Sequence, residues 1–181
     1  MRRINIVGTS GSGKTTLARQ LAAQLNIPHV ELDAFQWEPG WAPADIVTLR
    51  ARVAEALMGD DWVVDGNYSS VRDLTWARAD TIIWLDYALP IILWRVTTRT
   101  GRRYIRRIEL WNGNRERLRS ILSRDSIILW ALTTWGKNRR SYRQLCADPA
   151  YAHLHIVQMR SPRATRNWLR RLAAPSTLPV H

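Results

Sequence analysis

Gly8-Thr9-Ser10-Gly11-Ser12-Gly13-Lys14-Thr15 decides the fold. The octapeptide matches G-x-x-x-x-G-K-[ST] at every defined position. Its flanks carry as much weight as the match. Before it, Arg3-Ile4-Asn5-Ile6-Val7-Gly8 is a short apolar run that stops at glycine, the pattern of a strand buried on both faces. After it, Lys14 to Leu25 places Leu17, Leu21 and Leu25 on one side of a helix. A strand, a glycine turn and a helix in this order make a phosphate cradle. The glycines let the backbone aim its N–H groups at an anion, and the helix adds its positive N-terminal end. The expected phosphate contacts are Gly8, Ser10, Gly11, Ser12, Gly13, Lys14, Thr15 and Thr16. In such a loop the lysine reaches the β- and γ-phosphates and the first threonine hydroxyl binds Mg²⁺.

Outward from the loop, Pro28 to Leu32 predicts a second strand, ended by Asp33, and Ala34 to Pro43 an ordered loop holding Trp37 and Trp41. Ala44 to Met58 predicts a helix, Asp61 to Asp65 a third strand and Thr81 to Asp86 a fourth. A helix over Pro90 to Arg103 carries several arginines. Ile121 to Leu145 is helical in pattern, His153 to Met159 is a fifth strand, and Pro162 opens a last helix to Leu172. Five short apolar strands alternating with helices predict a three-layer α/β fold around a parallel sheet. No repeat or linker divides the chain, so residues 1–172 are expected to form one unit, with 173–181 a frayed tail.

The composition narrows the function classes. The chain has 181 residues, 46% of them hydrophobic and 23% charged, as in soluble globular proteins. Cys146 is the lone cysteine, which suits a reducing compartment and gives no zinc pattern. With an apolar strand starting at Ile4, no leader is expected, and no apolar run approaches the ~18 residues of a membrane span. A cytoplasmic protein is the expectation. The net charge is +12, and Lys14 and Lys137 are the only lysines beside the arginines. Arginine grips phosphate through a planar fork, so a polyanionic ligand or nucleic acid fits the balance. No helix-turn-helix or comparable motif supports nucleic acid, and a small-molecule partner is favoured.

A GTPase would carry Asn-Lys-x-Asp for guanine, and none occurs here. Asp33, Asp65 and Asp86 each fall at the carboxyl end of a predicted strand, the edge where open α/β sheets bind ligands. Asp65 is a candidate to hold Mg²⁺ through water, and Asp33 to accept a proton from an acceptor hydroxyl. Asp86 suits a structural role, such as capping the next helix. Arg95, Arg99, Arg102, Arg103 and Arg106 recur at helical spacing and can share one flank. Phosphoryl transfer relies on such positive charge around the moving group. Trp37, Trp41 and Tyr68 lie on loops above the same edge, placed either to stack on a ligand or to close the loops over the core. His153 and His155 suit structural roles.

The chain resembles the adenylate-kinase-like nucleoside-monophosphate kinases. Within them it is most similar to the bacterial proteins called DNA topology modulation proteins. The likeness rests on Gly8–Thr16, on Val30-Glu31-Leu32-Asp33 with Trp37 and Pro39-Gly40-Trp41, on Trp62-Val63-Val64-Asp65-Gly66-Asn67-Tyr68, and on Ala79-Asp80-Thr81-Ile82-Ile83-Trp84-Leu85-Asp86. It implies a five-stranded parallel sheet in order 2-3-1-4-5, an acceptor region after strand two, and a short arginine-rich lid at about 104–118. It also implies ATP with Mg²⁺ as donor. Lys14, Asp65, Arg95 and Arg99 take catalytic roles by this likeness, with Thr15 and Asp65 at the metal. Asp33, Trp37, Tyr68, Arg115 and Arg117 fall at the acceptor. Asn67-Tyr68 replaces the Phe-Pro of the adenylate-kinase segment, and the arginine that follows there is missing.

Overall fold

The computed structural model of the chain describes residues 1–114 and 127–173. Five strands, β1 (Arg3–Gly8), β2 (His29–Glu31), β3 (Trp62–Asp65), β4 (Thr81–Leu85) and β5 (His155–Met159), form one sheet in the order β2-β3-β1-β4-β5. Every pairing is parallel. The expected fold class and strand order are both found. The expected lid arginines Arg115 and Arg117 lie outside the described residues, as do residues 121–126 of the long helix and all of the tail but Ala173.

Alternation along the strands splits the core in two. Ile4, Ile6, Val63, Ile83 and Leu85 face α1 (Lys14–Leu25), α5 (Leu89–Ile105) and α7 (Pro162–Ala173). Val7, Val64, Ile82 and Trp84 face α3 (Ile46–Ala56) and α4 (Arg72–Arg78). The helix α6 (Ile127–Cys146) serves both cores: Ala131 and Trp135 join the first, Tyr142 and Leu145 the second. Sheet residues buried on both sides explain why the strands are continuous apolar runs. Trp62, Trp76 and Trp84 are buried, whereas Trp94 and Trp130 are exposed, so the tryptophans are not uniformly core.

Three local readings change. Asp33 lies in the first turn of a short helix, α2 (Leu32–Gln36), because β2 ends at Glu31. The segment 72–78 is helical although its seven residues carry no capping side chain, which is why pattern alone passes over it. Asp86 caps nothing: the residue before α5 is Ala88, without a side-chain cap. Asp86 instead pairs with Arg139 at 2.7 Å and accepts from Gln158 Nε2 at 2.8 Å, tying α6 and β5 to the end of β4. His153 precedes β5, and its ring lies 3.4 Å from the Trp76 carbonyl.

Candidate active site

The loop between β1 and α1 needs its glycines. Gly8, Gly11 and Gly13 have φ of 146°, 84° and 95°, a region that side chains strain to enter. Space is short as well. A Cβ on Gly11 would lie 2.3 Å from Val96 Cγ2, and one on Gly8 2.8 Å from the Leu85 carbonyl. The loop is therefore packed against α5 and β4.

Lys14 is half-buried and donates to the carbonyl of Gly8 at 2.9 Å and more weakly to that of Thr9 at 3.4 Å. Burial lowers its pKa from the ordinary lysine value; the nearby charges of Asp33 and Asp65 oppose that shift and Arg99 adds to it. The charges of Asp33, Asp65 and Arg99, all singled out from the sequence, thus act on one ammonium. Arg95, on the same helix as Arg99, donates from Nη1 to the Ser12 carbonyl at 2.8 Å and lies over the Tyr87 ring at 5.3 Å.

The end of β3 supplies the carboxylate. Asp65 is 3% exposed. Its Oδ2 accepts from the Thr15 hydroxyl at 2.6 Å, and its Oδ1 lies 2.7 Å from His29 Nε2. Two residues on, the Asn67 side chain clasps Gly8: its Oδ1 accepts from the Gly8 N–H at 3.2 Å and its Nδ2 donates to the Gly8 carbonyl. Gly8's carbonyl thus has two donors, Asn67 and Lys14. Gly66, with φ 144°, allows this turn, since a Cβ there would meet Leu32 Cβ at 2.7 Å.

Beyond the end of β2, the Tyr68 hydroxyl donates to Asp33 Oδ1 at 2.6 Å. Burial, the Asp33 charge and this hydrogen bond all push the tyrosine pKa well above its usual value. Trp37 meets Trp41 edge-on at 5.8 Å, and Trp41 meets Trp111 at 6.3 Å. Arg103 lies over Trp111 at 6.0 Å. Asn112 Nδ2 donates to the carbonyls of Trp37 at 2.5 Å and Ala34 at 3.5 Å. Asn114, 4% exposed, donates to Glu38 O at 2.9 Å and accepts from Trp41 N–H at 2.8 Å. The aromatic residues thus close one loop against another.

His29, Asn67, Trp111 and Asn114 are the contributors that sequence reading missed. Asn112-Gly113-Asn114 looks like a turn from composition, and nothing in sequence says which loop it meets. His29 alternates with Glu31 in β2, but its partner depends on β2 lying beside β3.

A five-stranded parallel sheet of this order with a glycine loop leading into α1 defines a phosphate-loop NTPase fold of the kinase-like kind. Comparisons agree at that level. Residues 4–87 match the family described as ATPase family associated with various cellular activities (AAA). A 56-residue stretch is 39% identical to the ATP-dependent Clp protease ATP-binding subunit ClpX of Borrelia duttonii (strain Ly), and equally to that of Borrelia recurrentis (strain A1). That stretch is 30% of this chain and 13% of either relative. Among solved structures, shikimate kinase from Acinetobacter baumannii in complex with shikimate superposes with TM-score 0.58 at 16% identity, over 95% of this chain and 90% of that one. Shikimate kinase from Bacteroides thetaiotaomicron gives 0.54 at 16% identity, over 94% and 96%. A gluconokinase from Sinorhizobium meliloti 1021 gives 0.51 at 19% identity, over 95% and 93%. Likeness at this identity defines the fold.

Proposed function

We propose that the chain is a small kinase that moves the γ-phosphoryl group of ATP to a hydroxyl or phosphate oxygen of a small acceptor. One observation carries the reading. The carboxylate beside Thr15, the Asp33 carboxylate and the helix arginine Arg99 each act electrostatically on the loop lysine, Lys14, and Asp65 takes the Thr15 hydroxyl at 2.6 Å. We read these as donor, metal and acceptor groups at the carboxyl edge of the sheet, where open α/β sheets bind ligands.

The residues divide the work as follows. The loop N–H groups, Lys14 and Thr16 hold the donor phosphates. To reach them Lys14 leaves the Gly8 carbonyl, which Asn67 still satisfies. Arg99 places positive charge beside the moving group, and Arg95 braces the loop through Ser12. We assign Asp33 to accept the proton of a hydroxyl acceptor as its oxygen bonds to phosphorus and the bond to the donor's β-phosphate oxygen breaks.

A magnesium ion fits the oxygen donors present. The Thr15 hydroxyl and the Asp65 carboxylate are hard ligands 2.6 Å apart. The described residues hold no cluster of three or more His, Cys, Asp or Glu side chains suited to a metal cage, and Mg²⁺ ordinarily relies on few protein ligands plus phosphates and water. Thr15 would bind it directly and Asp65 through water. Its chemistry there is to neutralise charge on the β- and γ-phosphates.

Support for a kinase rather than a nucleic-acid-binding regulator comes from the structural neighbours, which are kinases by name. Among the described residues no helix is long and apolar enough to cross a membrane. The test is ADP formation with Mg²⁺ and a panel of nucleosides, nucleoside monophosphates, shikimate and gluconate. One acceptor should raise turnover far above the acceptor-free rate, and Asp65→Ala should remove the increase. Background turnover with every acceptor, unaffected by Asp65→Ala, refutes the reading.

A further inference from the structure

We infer that His29 is a positioning residue for the metal corner of the site: it fixes the rotamer of Asp65 so that one carboxylate oxygen faces Thr15. The inference rests on the proposed role of Thr15 and Asp65.

The geometry begins with strand register. His29 pairs with Val63 across the parallel β2–β3 ladder, and Asp65 lies two residues further along β3. Side chains at i and j+2 on one face of neighbouring strands are within reach of long groups. His29 Nε2 reaches Asp65 Oδ1 at 2.7 Å, while Asp65 Oδ2 takes the Thr15 hydroxyl at 2.6 Å. Each oxygen of a carboxylate that is 3% exposed has its own partner.

The two partners differ in what a nucleotide does to them. Thr15 sits in the phosphate loop, and its hydroxyl must turn toward the metal when nucleotide binds. His29 belongs to the sheet, its side chain is 16% exposed, and loading gives it no reason to move. With Thr15 turned away, the imidazole N–H is the side-chain donor left on Asp65. It keeps the carboxylate plane fixed and Oδ2 aimed at the metal's water shell. Its proton then sits on Nε2, the nitrogen facing Asp65. Glu31, opposite Asp65 in the ladder, accepts from Arg19 Nη2 at 3.0 Å, while His29 Nε2 lies on Asp65.

Without His29, Oδ1 is a buried acceptor lacking its partner. The carboxylate can rotate toward solvent or another donor, and the metal loses an oriented ligand while the phosphate loop stays intact. The defect is therefore specific to the metal.

The experiment measures binding of a fluorescent non-hydrolysable ATP analogue to the full chain, in chelator and in Mg²⁺. His29→Ala, His29→Gln and Asp65→Asn are compared with the unmodified chain. Glutamine places its amide nitrogen close to the position of Nε2 and keeps the donor. Expected is similar affinity for the unmodified chain, His29→Ala and His29→Gln in chelator. In Mg²⁺ the unmodified chain binds more tightly, His29→Ala loses about tenfold of that gain, equivalent to about 1.4 kcal/mol, and His29→Gln recovers most of the loss. Full Mg²⁺ enhancement in His29→Ala, or glutamine no better than alanine, overturns the proposal. Equal loss of affinity with and without Mg²⁺ also overturns it, by showing that the histidine only supports the fold. If the unmodified chain gains nothing from Mg²⁺ and Asp65→Asn changes nothing, the metal corner itself is wrong and both readings fall. Melting curves identify a variant that has not folded, in which case His29→Gln alone decides by keeping or losing the Mg²⁺ enhancement.

Discussion

Gly11→Ala should strike the loop from two sides. The backbone at Gly11 has φ of 84°, where a Cβ costs about 1–2 kcal/mol. The added methyl also lies 2.3 Å from Val96 Cγ2 and 3.1 Å from the Ile92 carbonyl. Val96 is fully buried and β-branched, so it has little rotameric escape. Overpacking of this kind costs about 1–3 kcal/mol. Together the variant should lose roughly 2–5 kcal/mol. At about 2–4 °C per kcal/mol for a chain of this size, the melting temperature should fall by roughly 4–20 °C. Calorimetry or circular dichroism checks the fall, and a double-mutant cycle checks the cause. Val96→Ala removes the clashing methyl and carries its own cavity cost. Gly11→Ala should therefore be less harmful in the Val96→Ala background by about the overpacking term. An unchanged melting temperature in Gly11→Ala, or strict additivity in the cycle, would refute the reasoning.

The other predictions are shorter. Lys14→Ala should abolish tight triphosphate binding in a fluorescence titration; unchanged affinity would contradict the role given to the loop. Asn67→Ala should destabilise the fold by about 1–3 kcal/mol, because the Gly8 N–H loses its Asn67 acceptor and the Gly8 carbonyl one of its two donors; denaturant titration measures it, and a loss below the error of the method counts against the clasp. Tyr68 should stay protonated where exposed tyrosines ionise, since burial and Asp33 raise its pKa. The stability it contributes is complete below the unfolded-state value of about 10 and declines as pH rises past it. Tyr68→Phe should lessen the alkaline loss of stability, and identical alkaline profiles would refute the assignment.

The central layers of the fold were legible because parallel strands buried on both faces leave unbroken apolar runs. All five strands fall where those runs predict, within about two residues at each end. The short helices were not legible. The segment 72–78 has too few turns for a periodic signal, and α2 follows β2 without a break, so Asp33 looked like a strand end. In the candidate site, Gly8 to Thr15 was legible because the phosphate cradle is local in sequence. Asp65 was legible by its place at a strand end. His29 and Asn67 were not, because each acts across a strand pairing or turn that only the assembled sheet creates. The clasp of Asn67 on Gly8 spans 59 positions.

Asn112 and Asn114 bind the backbone of Ala34, Trp37, Glu38 and Trp41, more than seventy positions earlier. Anyone redesigning these loops meets this join first. Grafting a relative's segment at 34–43 without its counterpart at 110–114 would leave asparagine amides facing a backbone of different course, and the reverse graft would strip the loop of the amides that shape it. The shape of this loop pair is thus heritable only when the two distant segments are exchanged together.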